Sequence, residues 1–295
     1  MTTVNGLMPI VAARAITTRV NDNPDGGKSR FRRVDEEIRR YYELGLERDR
    51  LSQGHSRVEF ERTRELLRRF LPKPPARVLD VGGGPGAYAA WLADQNYEVR
   101  LVDAMPIHVE QATELAAGRF SAVVGDARTL DEAEASWDAV LLLGPLYHLV
   151  DRADRVAALR EARRVLRPGG VLVAAAISRF ASLIDGFLRG LLDETGWAVV
   201  EADLAHGQHR PGGRRVELFT TAYFHRPDEL QAEVEEAGFL VDGVFGVEGP
   251  GWTRPDAPID EDVLETVVRM ARAVEQEPAI IGASAHLLVV GRPPS

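Results

Sequence analysis

The residues best suited to chemistry cluster between positions 78 and 86, in the run Val-Leu-Asp-Val-Gly-Gly-Gly-Pro-Gly. Two patterns fit it. Gly82, Gly84 and Ala87 complete G-x-G-x-x-[GA], a dinucleotide fingerprint. Asp80, Gly82, Gly84 and Gly86 complete acid-x-Gly-x-Gly-x-Gly, with the acid inside the end of a strand and Pro85 stiffening the turn. Two further acids close apolar runs: Asp103 ends EVRLVD, and Asp126 follows Gly125. Carboxylates at strand ends accept from hydroxyl and amino groups and attract cations. Three of them around one ligand suit a cationic, hydroxyl-bearing molecule and suit a pyrophosphate badly.

These acids need strands to carry them. Short buried-strand patterns fall at 77–81, 98–103, 122–125, 138–143 and 171–177, separated by helical patterns at 87–95, 108–115 and 151–166. Strands alternating with helices mean βαβ units and a parallel sheet covered on both faces. Before them, Val34, Ile38, Tyr41, Tyr42 and Leu46 predict a helix over 34–51, and a second spans 56–71 until Pro72, Pro74 and Pro75 end it. After 177 the rhythm breaks. Phe180, Leu183, Ile184, Phe187, Leu188, Leu191 and Leu192 form a wide apolar stripe at helical spacing, followed by a Gly-, His- and Arg-rich loop at 206–215. A helix at 227–237, a strand at 240–247, a helix at 261–277 and a strand at 286–291 complete the chain. The expected organisation is a loose tail at 1–30, an N-terminal helical lid at 31–75 and an α/β domain at 76–295 with a cap inserted at about 178–215.

The segment 78–86 resembles motif I of the class I S-adenosylmethionine-dependent methyltransferases, and the resemblance extends to about residue 177. Asp103 stands where that family carries its ribose-binding acid, and Gly125-Asp126-Ala127 where it contacts adenine. Trp137-Asp138-Ala139-Val140 has the form of its fourth strand, and Leu166-Arg167-Pro168-Gly169-Gly170 that of its turn before strand five. The small-molecule branch often called type 11, or UbiE-like, is the most similar. The resemblance implies a Rossmann-like, doubly wound, mostly parallel seven-stranded sheet. It also implies S-adenosylmethionine as cofactor, held by Asp80, Gly82, Gly83, Gly84, Gly86, Asp103, Ala104, Met105, Gly125, Asp126, Ala127 and Leu143. The expected activity is methyl transfer to a small-molecule acceptor by in-line displacement. Methylation of RNA or protein, a non-catalytic cofactor-binding regulator and a nicotinamide-dependent oxidoreductase are the rival readings.

On the acceptor side, Tyr147 and His148 follow strand four, and imidazole titrates near neutrality, as a general base should. His148 could equally pack beside the cofactor. Tyr41 and Tyr42 on the first helix, with Phe187 on the stripe, are expected to roof an acceptor pocket. The stripe could instead complete the core or form the face of a homodimer. His206, His209 and His225 lack the paired carboxylates of a metal site, so no metal is expected. Arg210, Arg214 and Arg215 read as a solvated loop or a contact to an anionic substrate. The chain carries 45 acidic and 36 basic residues, a net charge of -9, which counts against a nucleic-acid partner. With no cysteine, disulfides, thiolate metal ligands and a cysteine nucleophile are excluded. No apolar run has the length of a membrane span, and no signal-peptide pattern follows Met1, so a soluble, cytoplasmic protein is expected.

Overall fold

The computed structural model describes residues 34–54, 56–212, 216–253 and 259–294. The tail expected at 1–30, together with Arg214 and Arg215, lies outside the described residues. Two helices open the chain, α1 (Glu36–Tyr42) and α2 (Ser56–Phe70). The alternating part follows: β1 (Arg77–Val81), α3 (Ala87–Asp94), β2 (Glu98–Asp103), α4 (Pro106–Ala116), β3 (Ser121–Val124), β4 (Trp137–Leu142), the single turn α5 (Pro145–His148), α6 (Arg152–Val165) and β5 (Leu166–Ser178). Then come α7 (Ala181–Leu188), α8 (Glu194–His206), β6 (Gln208–His209) and β7 (Ala222–His225). The chain closes with α9 (Pro227–Glu236), β8 (Leu240–Gly246), α10 (Glu261–Ala273) and β9 (His286–Arg292). No helix among the described residues is long and apolar enough to cross a membrane.

Strands β3, β2, β1, β4 and β5 lie side by side and parallel. The antiparallel β9 pairs with β5 from Leu172 to Ile177, and β8 pairs antiparallel with β9. These make the seven strands the sequence implies. Two more raise the sheet to nine: β7 joins the end of β5 at Ile177 and Ser178, and β6 pairs with β7. The strand order reverses between β1 and β4, which opens a crevice at their carboxyl ends.

Alternation along each strand divides the core. Val78, Leu101, Leu141, Val173 and Leu288 join α2, α3 and α4 on one face. Leu79, Val102, Leu142, Leu172 and Leu287 join α6 and α9 on the other. Each such fully buried aliphatic side chain contributes about 1.5–3 kcal/mol. Between α6 and α9, the buried Arg155 donates Nε and Nη2 to the two oxygens of Glu233 at 2.8 and 2.6 Å. Its Nη1 also holds the Leu149 and Val150 carbonyls, which fixes the loop after α5.

The first helix is much shorter than the 34–51 its spacing predicts. The N–H groups of Leu44 and Gly45 fold back on the Tyr41 and Tyr42 carbonyls, and Gly45 adopts φ 71°. Leu46, expected on the buried stripe, is exposed. The second departure is α8 and the β6–β7 pair, absent from the sequence reading. Their segment leaves the sheet and returns to it at one neck. Arg179 donates its backbone N–H to the His225 carbonyl and its Nε to the Phe224 carbonyl, both at 2.7 Å, and pairs with Glu229.

Candidate active site

The turn from β1 to α3 forms the floor of a cleft of about 680 Å³ at the carboxyl ends of the strands. Gly82 packs so tightly under α5 that a Cβ would lie 2.5 Å from the Pro145 ring. Gly84 sits at φ 57° with nothing within 4 Å of the place a Cβ would take, so bare backbone faces the cleft. Gly86 faces the other way: a Cβ there would meet Ala112 and Phe120 at 3.2 Å.

Asp103 braces this floor. Its Oδ2 accepts the Gly84 N–H at 2.9 Å, its Oδ1 accepts the Met105 N–H at 2.8 Å, and His108 Nδ1 lies 3.1 Å from Oδ1. Oδ1 is thus already committed twice, and the capacity left for a ribose hydroxyl is on Oδ2. Asp126 is held as firmly. Arg128 grips it through Nε and Nη2 at 2.9 and 2.7 Å, and extends Nη1 to Asp154 at 2.7 Å.

Gly82, Gly83, Gly84, Asp103, Ala104, Met105, Gly125, Asp126, Ala127 and Leu143 all line the cleft, as expected of cofactor contacts. Asp80 and Gly86 are not among its lining residues. The Asp80 side chain is fully buried beneath the glycines, with neither carboxyl oxygen hydrogen-bonded among the described residues. Burial, aided by the Asp103 charge, pushes its pKa up to about 7. The carboxyl thus supports the glycine loop from below rather than lining the cleft.

The acceptor side is built by α5 and α1. Tyr42 Oη lies 2.5 Å from His148 Nε2, and its ring stands edge-on to His148 and His108, with centroids at 5.3 and 4.8 Å. Burial lowers the His148 pKa to about 4, so the imidazole is neutral at pH 7; with its one proton on Nδ1, Nε2 accepts from the phenol. Burial likewise raises the Tyr147 phenol. Tyr42, Tyr147 and His148 all line the cleft. Tyr41 does not: it packs edge-on to Phe219, with centroids 5.1 Å apart. Phe187 does not either. It is 74% exposed, so it neither roofs the cleft nor completes the core. The segment between β5 and α9 reaches the cleft through Arg210 instead.

Four residues of the site went unassigned in the sequence. His108 and Arg128 lie two to five residues beyond acids already recognised, and that spacing was the available signal. Arg50 and Glu59 come from the N-terminal segment. Arg50 donates Nε to Glu47 at 2.7 Å and Nη2 to Glu59 at 3.0 Å, and the pairing holds Glu59 near a pKa of about 2 against the cost of its burial. Of the histidines considered for a metal, His209 spends both ring nitrogens on Asp203 and the Leu218 carbonyl, and His225 faces Glu233. Among the described residues, Glu59, Glu248 and His286 place three ligand atoms within 4.8 Å of one another, but Arg50 occupies Glu59 and His286 bonds to Glu248 at 2.5 Å.

The chemistry fits S-adenosylmethionine. The open backbone at Gly84 admits a ligand closely, and Asp103 and Asp126 set beside it carboxylate acceptors that suit ribose hydroxyls and an amino group.

Comparison with known proteins agrees. Residues 78–170 match the family described as a methyltransferase domain. The methyltransferase GfsG of Streptomyces halstedii is 36% identical over 182 residues, which cover 60% of this chain and 57% of that one. The O-methyltransferase resE of Aspergillus sclerotiorum is 30% identical over 187 residues, covering 55% of this chain and 70% of that one. The chain thus spans little more than half the length of its Streptomyces relative. A chain from the complex between the Haloferax volcanii Trm112 methyltransferase activator and a methyltransferase superposes with a TM-score of 0.58 at 19% identity, covering 88% of this chain and 98% of that one, and so shares the fold. By its glycine floor, its strand-end acids and these relatives, the chain belongs to the class I S-adenosylmethionine-dependent methyltransferases.

Proposed function

We propose that this protein transfers the methyl group of S-adenosylmethionine to a small-molecule acceptor. The observation that carries the reading is the convergence, on one cleft, of the bare Gly84 backbone, the strand-end acids Asp103 and Asp126, and the neutral imidazole of His148. In this reading Gly82, Gly83 and Gly84 seat the cofactor. Asp103 Oδ2 accepts from the ribose, and Ala127 with the Arg128-bound Asp126 reads the adenine. The cofactor, when bound, supplies an electrophilic methyl on a sulfonium. The protein's part is to place the acceptor in line with it, exclude water, and hold the acceptor's hydroxyl by a hydrogen bond to His148 Nε2, which burial makes a weaker base than a free imidazole. The acidity of the chain and the narrow aromatic surroundings of His148 favour a small molecule over nucleic acid.

Calorimetric titration with S-adenosylhomocysteine and with NADH tests the cofactor half. Saturable binding of the first and none of the second is expected, and the reverse overturns the reading. Transfer of labelled methyl from S-adenosylmethionine to a panel of small hydroxy, amino and thiol compounds, with bulk RNA in parallel, tests the other half. Label recovered only in RNA would overturn it.

A further inference from the structure

Tyr42 reaches the site from a short helix held to the rest of the fold by the buried Ile38, by Tyr41 against Phe219, and by Glu37, which accepts from Thr221 Oγ1 at 2.7 Å. Helix α1 has seven residues, of which only Ile38 is buried, and its arginines spend themselves on Glu36 and Glu43 within the helix and its cap. Gly45, three residues after Tyr42, sits at φ 71°, where a change of direction is cheapest. Such a strap belongs to the low-stability end of a fold.

Its side chain nevertheless takes the most contested position in the cleft. A neutral imidazole has one lone pair in the plane of the ring. In the His148 tautomer protonated on Nδ1, the lone pair of Nε2 accepts from the Tyr42 phenol 2.5 Å away, and burial keeps that phenol protonated and able to donate. An acceptor hydroxyl held by His148 would need the same lone pair, so Tyr42 and the acceptor exclude each other there. The position is also shaped for what now fills it. His108, His148 and Tyr41 stand edge-on around the Tyr42 ring, with centroids at 4.8, 5.3 and 5.4 Å. Edge-to-face packing of this kind holds an aromatic ring in particular. Through its Nδ1, His108 ties the same wall to Asp103 and the floor of the cleft.

We infer that Tyr42 occupies the acceptor's own seat, and that the acceptor is a small aromatic hydroxyl compound which displaces this phenol and takes its hydrogen bond to His148. The inference rests on the methyltransferase reading above and adds the chemical class of the acceptor and a gate to it.

Fluorine NMR on the full chain tests it, with 4-fluorophenol and 4-fluorotoluene as probes. The parent and Tyr42→Phe, whose seat is still filled, should bind neither probe well. Tyr42→Ala should bind 4-fluorophenol at least tenfold more tightly than the parent does, and at least tenfold more tightly than it binds 4-fluorotoluene. Adding His148→Phe should erase that preference. Equal binding of the two probes by Tyr42→Ala, or no binding, overturns the seat. Should Tyr42→Ala fail to fold, Tyr42→Phe decides: loss of the phenol donor should raise the His148 pKa seen by imidazole NMR, and an unmoved titration overturns the inference. S-adenosylhomocysteine is titrated into the same samples. Its failure to bind the parent would overturn the methyltransferase reading, a result distinct from any outcome with the phenol.

Discussion

Asp80 lies directly beneath Gly83: a Cβ on the glycine would stand 2.5 Å from Asp80 Oδ2. The carboxyl is sealed in by the loop it supports, and burial with the nearby Asp103 raises its pKa from 3.8 to about 7. A raised acid stabilises the fold while it is protonated. That contribution is complete below pH 4 and is lost as the pH rises through about 7. At about 1.4 kcal/mol per unit, the loss is about 3–4 kcal/mol. Urea denaturation at pH 4.5 and pH 8 should show it. In Asp80→Asn the difference between the two pH values should shrink by about that amount. A variant with the parent's full pH dependence would show that Asp80 does not carry it.

Asp103→Ala should weaken S-adenosylhomocysteine binding by about 1.5–3 kcal/mol, the range for hydrogen bonds to a charged group. It should also lower stability, because the Gly84 and Met105 N–H groups lose their acceptor. Asp103→Asn keeps one acceptor and should cost less on both counts. Calorimetry that finds both variants binding like the parent would reduce Asp103 to a brace for the loop.

Arg128 joins Asp126 to Asp154, and so ties the loop after β3 to the first turn of α6. Arg128→Ala and Asp126→Ala should therefore be non-additive. A double-mutant cycle on stability should return a coupling of about 0.5–3 kcal/mol, and a coupling of zero would mean that the pair contributes nothing.

Glu233→Gln should destabilise the fold by about 3–5 kcal/mol, because it leaves the buried Arg155 without a carboxylate. The pair lies outside the cleft, so the folded fraction should bind S-adenosylhomocysteine with the parent's affinity. Thermal melts alongside calorimetry would separate the two effects.

What the sequence made legible was local. The strand carrying Asp80, the glycine turn and the position of Asp103 each show within a dozen residues, because period-two burial and turn chemistry are short-range properties. What it hid depended on distant partners. Tyr42 and His148 are 106 positions apart, and neither carries a mark of the other. The apolar stripe around Phe187 has helical spacing, but spacing does not say whether a neighbour covers it, and Phe187 stands in solvent. Strand β7 pairs with β5 through only two residues, too few to impose a pattern. The start of α8 does carry a local mark: Asp193 caps it by accepting the Gly196 N–H at 2.9 Å, a spacing typical of a helix start.

Arg179 gathers both ends of the excursion between β5 and α9 into a single clamped neck. Whatever happens to residues 180–223, the chain leaves and rejoins the sheet at the same place. Such a loop can be lengthened, shortened or exchanged between relatives without shifting the strands that hold the glycine floor. Grafts cut just beyond Arg179 and just before Phe224 keep the clamp, and cuts inside it would sacrifice it. The neck thus makes the excursion a replaceable part, free to diversify while the cofactor end of the cleft stays fixed.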